Sequence, residues 1–169
     1  MELSQAFYMI DNQVSYMKYD KELNKQFRLI GPSSSSKTVI LNTFASKVAI
    51  PVKPISVPMS AFMTLDLFKE TIESNYRYKR QNKLTPKDPD SQILLVIDDV
   101  HMHRNLHVDL LEFLRSWCFC RGYFSTKQGF FKKIGDFGCI MAQNSNFVAN
   151  THKSERFLFY STTLYCEEI

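Results

Sequence analysis

"LIGPSSSSKT", residues 29–38, is the stretch whose reading decides the fold. A phosphate-binding loop reads G-x-x-x-x-G-K-[ST]. Gly31, Lys37 and Thr38 keep that spacing, while Ser36 stands at the second glycine. Such loops use glycine because backbone N–H groups must turn toward phosphate and some residues take φ > 0. The lysine puts positive charge between the terminal phosphates, and the hydroxyl residue ligates Mg²⁺. A serine run also suits a flexible linker, so the loop alone leaves both readings open.

The flanks favour the first reading. "QFRLI" (26–30) is a short apolar run ending at Gly31, as a buried strand would be. "SKTVILNTFASKV" (36–48) has Val39, Ile40, Leu41, Phe44, Ala45 and Val48 at helical spacing. "KPISVPM" (53–59) predicts a second strand, and residues 60–83 predict a helix with Ser60 or Thr64 as N-cap. "LTPKDPDSQ" (84–92) reads as a polar loop. "ILLVIDDV" (93–100) reads as a central parallel strand covered on both faces. A helix over 108–120, a hairpin over 121–137 with turns at Gly122 and Gly129, and a strand over 137–143 follow. Residues 154–166 read as a short helix turning into a strand, and the segment from Met1 to Asn24 has room for one helix. Alternating strands and helices predict an α/β fold of three layers around a parallel central sheet.

Asp98 and Asp99 close the most hydrophobic run, about sixty residues after the loop. A carboxylate at the carboxyl end of a parallel strand, beside a phosphate loop, is placed to hold Mg²⁺. Loop, strand–helix unit and acidic strand end, in that order, predict a P-loop nucleotide-binding domain.

Composition sets bounds. The chain has 169 residues, enough for one domain with a sizeable core. A net charge of +4 with scattered basic residues argues against nucleic acid as a partner, and no apolar run reaches membrane-spanning length. The opening "MELSQAFYMID" lacks the basic and apolar regions of a secretory leader. A reducing compartment is therefore expected, with Cys118, Cys120, Cys139 and Cys166 as free thiols.

With these motifs in order, the chain resembles the large α/β subdomain of the third AAA+ module of dynein heavy chains. That family's G-P-T-G-T-G-K-[ST] is answered by Gly31-Pro32 through Lys37-Thr38. Its F-V-D-D-L-N-M-P is answered by "LLVIDDVHM", and P-I-E-L-L-R-Q with G-W-Y-D-R-K by "VDLLEFLRSWCFCRGYFSTK". Its closing I-x-D-V-Q-F-V-A-A-M and P-R-F-L-R-H-F are answered by "IGDFGCIMA" and "ERFLFY". The likeness runs from about residue 27 onward, giving a lead-in over 1–24 and the AAA+ subdomain over 25–169.

The resemblance implies ATP and Mg²⁺ as cofactors. Gly31, Pro32, Ser33, Ser34, Ser35, Ser36, Lys37 and Thr38 would hold the phosphates, and Thr38 and Asp98 the metal. Asp99 would position the attacking water, and Asn144 or Asn146 would sense the terminal phosphate. It implies a regulatory site within a microtubule motor, with neighbouring AAA+ modules or dynein subunits as partners and microtubules engaged only indirectly. A cytoplasmic or cytoskeletal setting, including the cilium, follows from the same likeness. The departures are Ser34 and Ser36 for loop glycines, and Phe159 where the family has the arginine finger. The family's helical lid would come after Ile169. Weak or absent hydrolysis by an incomplete ATPase is expected, and the alternative is a non-enzymatic interaction module that keeps the fold.

Two local readings compete. His101, His103 and His107 lie within one short stretch, and the last two would suit zinc on a helix, but no fourth ligand is spaced for it. Tyr123, Phe124, Phe130 and Phe131 beside Lys132 and Lys133 would stack single-stranded nucleic acid or, preferably, contact a neighbouring module. Met102 and Trp117 are expected to serve packing.

Overall fold

The computed structural model describes residues 26–47, 52–60, 62–79, 82–88, 90–102, 108–125, 128–135, 137–145, 159 and 161–166. Five strands form the main sheet: β1 (Gln26–Gly31), β2 (Val52–Pro58), β5 (Gln92–Asp98), β8 (Phe137–Asn144) and β9 (Thr162–Tyr165). Their order is β2-β5-β8-β1-β9, and every pairing is parallel. Strand β8 therefore lies between the strand that feeds the serine loop and the strand that ends in the aspartates.

Alternation along the strands builds two cores. Leu94 and Val96 of β5 join Phe27, Leu29, Ile140 and Ala142 under Ile40, Leu41 and Phe44 of helix α1 (Lys37–Lys47). Ile93, Leu95 and Ile97 point to the opposite face. There they meet Phe68 and Ile72 of α2 (Leu65–Glu73) and Leu110, Leu114 and Trp117 of α3 (Val108–Phe119). Helices cover both faces, which is why β5 reads as an unbroken apolar run. The architecture is α/β, three layers around a parallel sheet.

A second sheet, ordered β3-β4-β7-β6, comprises β3 (Tyr76–Lys79), β4 (Lys83–Pro86), β6 (Gly122–Ser125) and β7 (Phe130–Ile134). It corrects two expectations. The helix predicted through residue 83 ends at Glu73, and the predicted loop at 84–92 begins with a strand. Helix α2 starts as expected at Thr64, whose side chain accepts from the Leu67 N–H. It stops where the Ser74 hydroxyl and the Asn75 amide both donate to the Thr71 carbonyl. Those side chains satisfy the last turn, and the two-residue alternation of Tyr76-Arg77-Tyr78-Lys79 then suits a strand. Asn82, at φ 57°, turns the hairpin. Between α3 and β6 the left-handed residue is Arg121, at φ 50°, and Gly122 already lies in the strand; Gly129, at φ 72°, turns the β6–β7 hairpin as predicted.

Trp117 is fully buried and ties this sheet to the main body. Its ring stacks on Tyr123 at 5.5 Å and meets the edges of Tyr76 and Phe137. Met102, in contrast to the packing expectation, is about half exposed, because it sits on an outward 3-10 turn (Val100–Met102). All four cysteines are free thiols. Among the described residues, no helix is long and apolar enough to cross a membrane. Residues 1–24 and 154–158 lie outside the described residues.

Candidate functional site

The site sits where three neighbouring strands end. β1 runs into the serine loop at Gly31, β5 ends at Asp98, and β8 ends between them at Asn144, which is in register with Gly31. Two strand spacings separate the loop from the aspartates, about 10 Å. Ligands of open α/β sheets bind at such carboxyl ends.

Gly31 is required by close packing. A Cβ there would collide with the Cys166 carbonyl and the Ser35 hydroxyl, because β9 continues alongside and the Cys166 N–H donates to the Ile30 carbonyl. The loop then closes on itself: the Ser35 N–H and hydroxyl both donate to the Pro32 carbonyl, at 3.2 and 2.8 Å. Ser36 takes φ 54°, a left-handed backbone that favours glycine, and its carbonyl accepts the Ile40 N–H in the first turn of α1. Ser34 does not have positive φ, so only one of the two replaced glycines sits where a side chain is strained.

Lys37 opens α1 and folds back over the loop. Its ammonium donates to the carbonyls of Gly31 (2.8 Å) and Pro32 and to the Ser35 hydroxyl (3.0 Å), and the residue is buried. No acidic residue lies in the first turn of α1, so nothing within the helix itself offsets the positive end of its dipole beside the loop. Thr38 is exposed.

At the end of β5, the Asp98 carboxylate accepts the Asp99 N–H at 3.0 Å. Asp99 itself is left-handed, at φ 52°, which turns the chain sharply into the 3-10 turn. Thr38 and Asp98 offer the hard oxygen donors that Mg²⁺ takes, and Lys37 and the α1 N-terminus offer positive charge to an anion. The donor set therefore fits a metal–phosphate ligand.

Asn144 is buried. Its side-chain amide donates to the Ser33 hydroxyl at 2.7 Å, joining the end of β8 to the loop. Asn146, Arg156, His103 and His107 lie outside the described residues. Phe159, which stands where the resemblance would put an arginine finger, is 82% exposed. Among the described residues no cluster of His, Cys, Asp and Glu could hold a metal by itself.

One residue of the site went unread in the sequence. His101 follows the aspartates on the 3-10 turn, and its Nδ1 accepts the Asn144 backbone N–H at 3.3 Å. The same nitrogen is 3.9 Å from Asp99 Oδ1, but an accepting Nδ1 carries no proton, so this approach is not an ion pair. Burial pushes the His101 pKa down; Asp99 and Asp98 oppose that, and Lys37 adds to it. The signal in the sequence was its place two residues after Asp99, which grouped it with its neighbouring histidines.

The family model described as the P-loop containing dynein motor region matches residues 13–169. A search of the curated proteins gives no match. With the phosphate loop, the acidic strand end and the parallel sheet in their places, the chain belongs to the family of the P-loop-containing dynein motor region.

Proposed function

We propose that this chain is a dynein-type AAA+ module, of the third-module kind, that binds ATP with Mg²⁺ and turns it over slowly or not at all. Gly31 and the loop to Ser36 would surround the phosphates, with Lys37 drawn onto them. Thr38 and Asp98 would hold the metal, which when bound supplies charge neutralisation at the phosphates. Asp99 would position water, and Asn144 would contact the terminal phosphate. One observation carries this reading: Ser36, at the place of the second loop glycine, takes the left-handed backbone that a glycine adopts readily. The role is then regulatory within a microtubule motor, exerted on neighbouring AAA+ modules, in a cytoskeletal setting that includes the cilium.

A second reading is an interaction module without turnover. It is favoured by Lys37, whose ammonium is already satisfied by its own loop, and by Phe159 in place of a finger arginine. A trans-acting arginine is worth roughly three to five orders of magnitude in turnover.

Titration of the purified chain with Mg-ATP, with Lys37→Ala alongside, tests both. Saturable binding that the variant loses supports the nucleotide site. No saturable binding, or equal binding by the variant, sinks it. Binding without phosphate release identifies a regulatory or structural nucleotide site.

A further inference from the structure

We propose that His101 is a positioning residue that couples the acidic strand end to the phosphate loop, and so sets how well the site tells ATP from ADP. The proposal rests on the nucleotide reading above for its functional part, and on geometry alone for its structural part.

The geometry begins with unequal strand lengths. β8 outruns β5: their last register pair is Ile97 with Met141, and three more residues carry β8 to Asn144. Beyond the end of β5, the edge of β8 loses its backbone neighbour, and a buried N–H there needs another acceptor. The left-handed turn at Asp99 brings the 3-10 segment back across that edge, and the His101 Nδ1 takes the Asn144 N–H. The imidazole acts as one more rung of the ladder, supplied by a side chain. It is well enclosed, its side chain only 9% exposed.

The far end of the same residue reaches the loop. Asp99 turns the chain into the 3-10 segment that carries His101, His101 accepts the Asn144 N–H, and the Asn144 amide donates to Ser33, so backbone and two hydrogen bonds lead from the aspartate to the phosphate loop. A terminal phosphate would lie between those ends; an ADP would not reach the Asn144 side. Losing the acceptor at His101 removes the hold on the β5 side of Asn144, leaves its pairing with β1 at Gly31, and loosens the aim of the Asn144 amide. The phosphate contacts shared by ATP and ADP rest on Lys37 and the α1 N-terminus and are left as they were.

The test uses the whole chain with His101→Ala and His101→Asn. The Asn side-chain oxygen stands close to the place of Nδ1 and can accept the same N–H. In nucleotide-free protein, amide exchange read by NMR at Asn144 is expected to quicken about three- to tenfold in His101→Ala and to return to normal in His101→Asn, the weight of one buried hydrogen bond. The ATP-over-ADP affinity ratio is expected to fall by a similar factor in His101→Ala, with ADP affinity unchanged, and to recover in His101→Asn. Unchanged exchange at Asn144 in His101→Ala overturns the proposal. So does a ratio that stays constant, or an asparagine variant no better than alanine. If the wild type binds neither nucleotide, the proposed function fails and the coupling to discrimination falls with it, while the exchange measurement still decides whether His101 holds β8.

Discussion

The Lys37 ammonium donates a 2.8 Å hydrogen bond to the carbonyl of Gly31, the residue that ends β1 six positions earlier. With its contacts to Pro32 and Ser35, this makes the lysine part of the loop's own structure before any ligand arrives. Lys37→Ala is therefore expected to do more than abolish nucleotide binding. It takes the lysine donor from the buried Gly31 carbonyl, and the nucleotide-free protein should lose roughly 1–3 kcal/mol of stability. Urea denaturation without nucleotide measures this; an unchanged midpoint would show that the ammonium is not held by the loop.

Ser34 and Ser36 look equivalent in sequence and should respond oppositely to glycine. Ser36 is strained at φ 54° and Ser34 is not at positive φ. Relief of the left-handed backbone should make Ser36→Gly more stable by roughly 1 kcal/mol. Ser34→Gly gains nothing and costs about 0.5–1 kcal/mol in chain entropy. Denaturation midpoints that move the same way for both variants would refute the difference.

Much of this was legible in the sequence, for physical reasons that also mark where reading stopped. The strand over Gln92–Asp98 announced itself because helices cover both of its faces, which forces an unbroken apolar run. The places of Gly31 at the end of β1, Lys37 at the start of α1 and Asp98 at the end of β5 were legible because the loop's spacing is local and the carboxylate closes an apolar run. The helix from Leu65 was read too long: Tyr76 continues the spacing of Phe68 and Ile72, and the cap that stops it is built from ordinary polar residues, Ser74 and Asn75. His101 was illegible for another reason. Its partner is Asn144, forty-three positions away, and the contact exists only because β8 inserts between β1 and β5 and outruns the latter.

Trp117 offers a graded test of how the second sheet is held. It is fully buried among Phe113, Tyr123, Tyr76 and Phe137, yet among the described residues its indole N–H has no acceptor. Trp117→Ala should cost about 3–5 kcal/mol through the cavity it leaves. Trp117→Phe should cost distinctly less, since it keeps an aromatic face and removes an unsatisfied donor. Thermal or urea unfolding of the two variants decides this, and equal losses would mean that ring packing is not what holds the sheet.

Tyr123 gives the protein an alkaline limit. Its hydroxyl donates to the Glu73 carboxylate in a buried setting beside Lys132. Burial pushes the phenol's pKa up, and the hydrogen bond to Glu73 and the charge of that carboxylate push it further. In the unfolded chain a tyrosine titrates near 10. The folded-state pKa is the higher one, so the unfolded chain loses its proton first. The stabilisation is complete below about pH 10 and drains away as pH climbs from there toward the folded value, at up to about 1.4 kcal/mol per pH unit. Tyr123→Phe deletes that dependence along with the hydrogen bond. Its stability should trail the wild type at neutral pH, and the gap should narrow above pH 10. Urea midpoints for both proteins between about pH 8 and 11 measure the gap; two curves that fall in parallel would show that the buried phenol is not the group responsible.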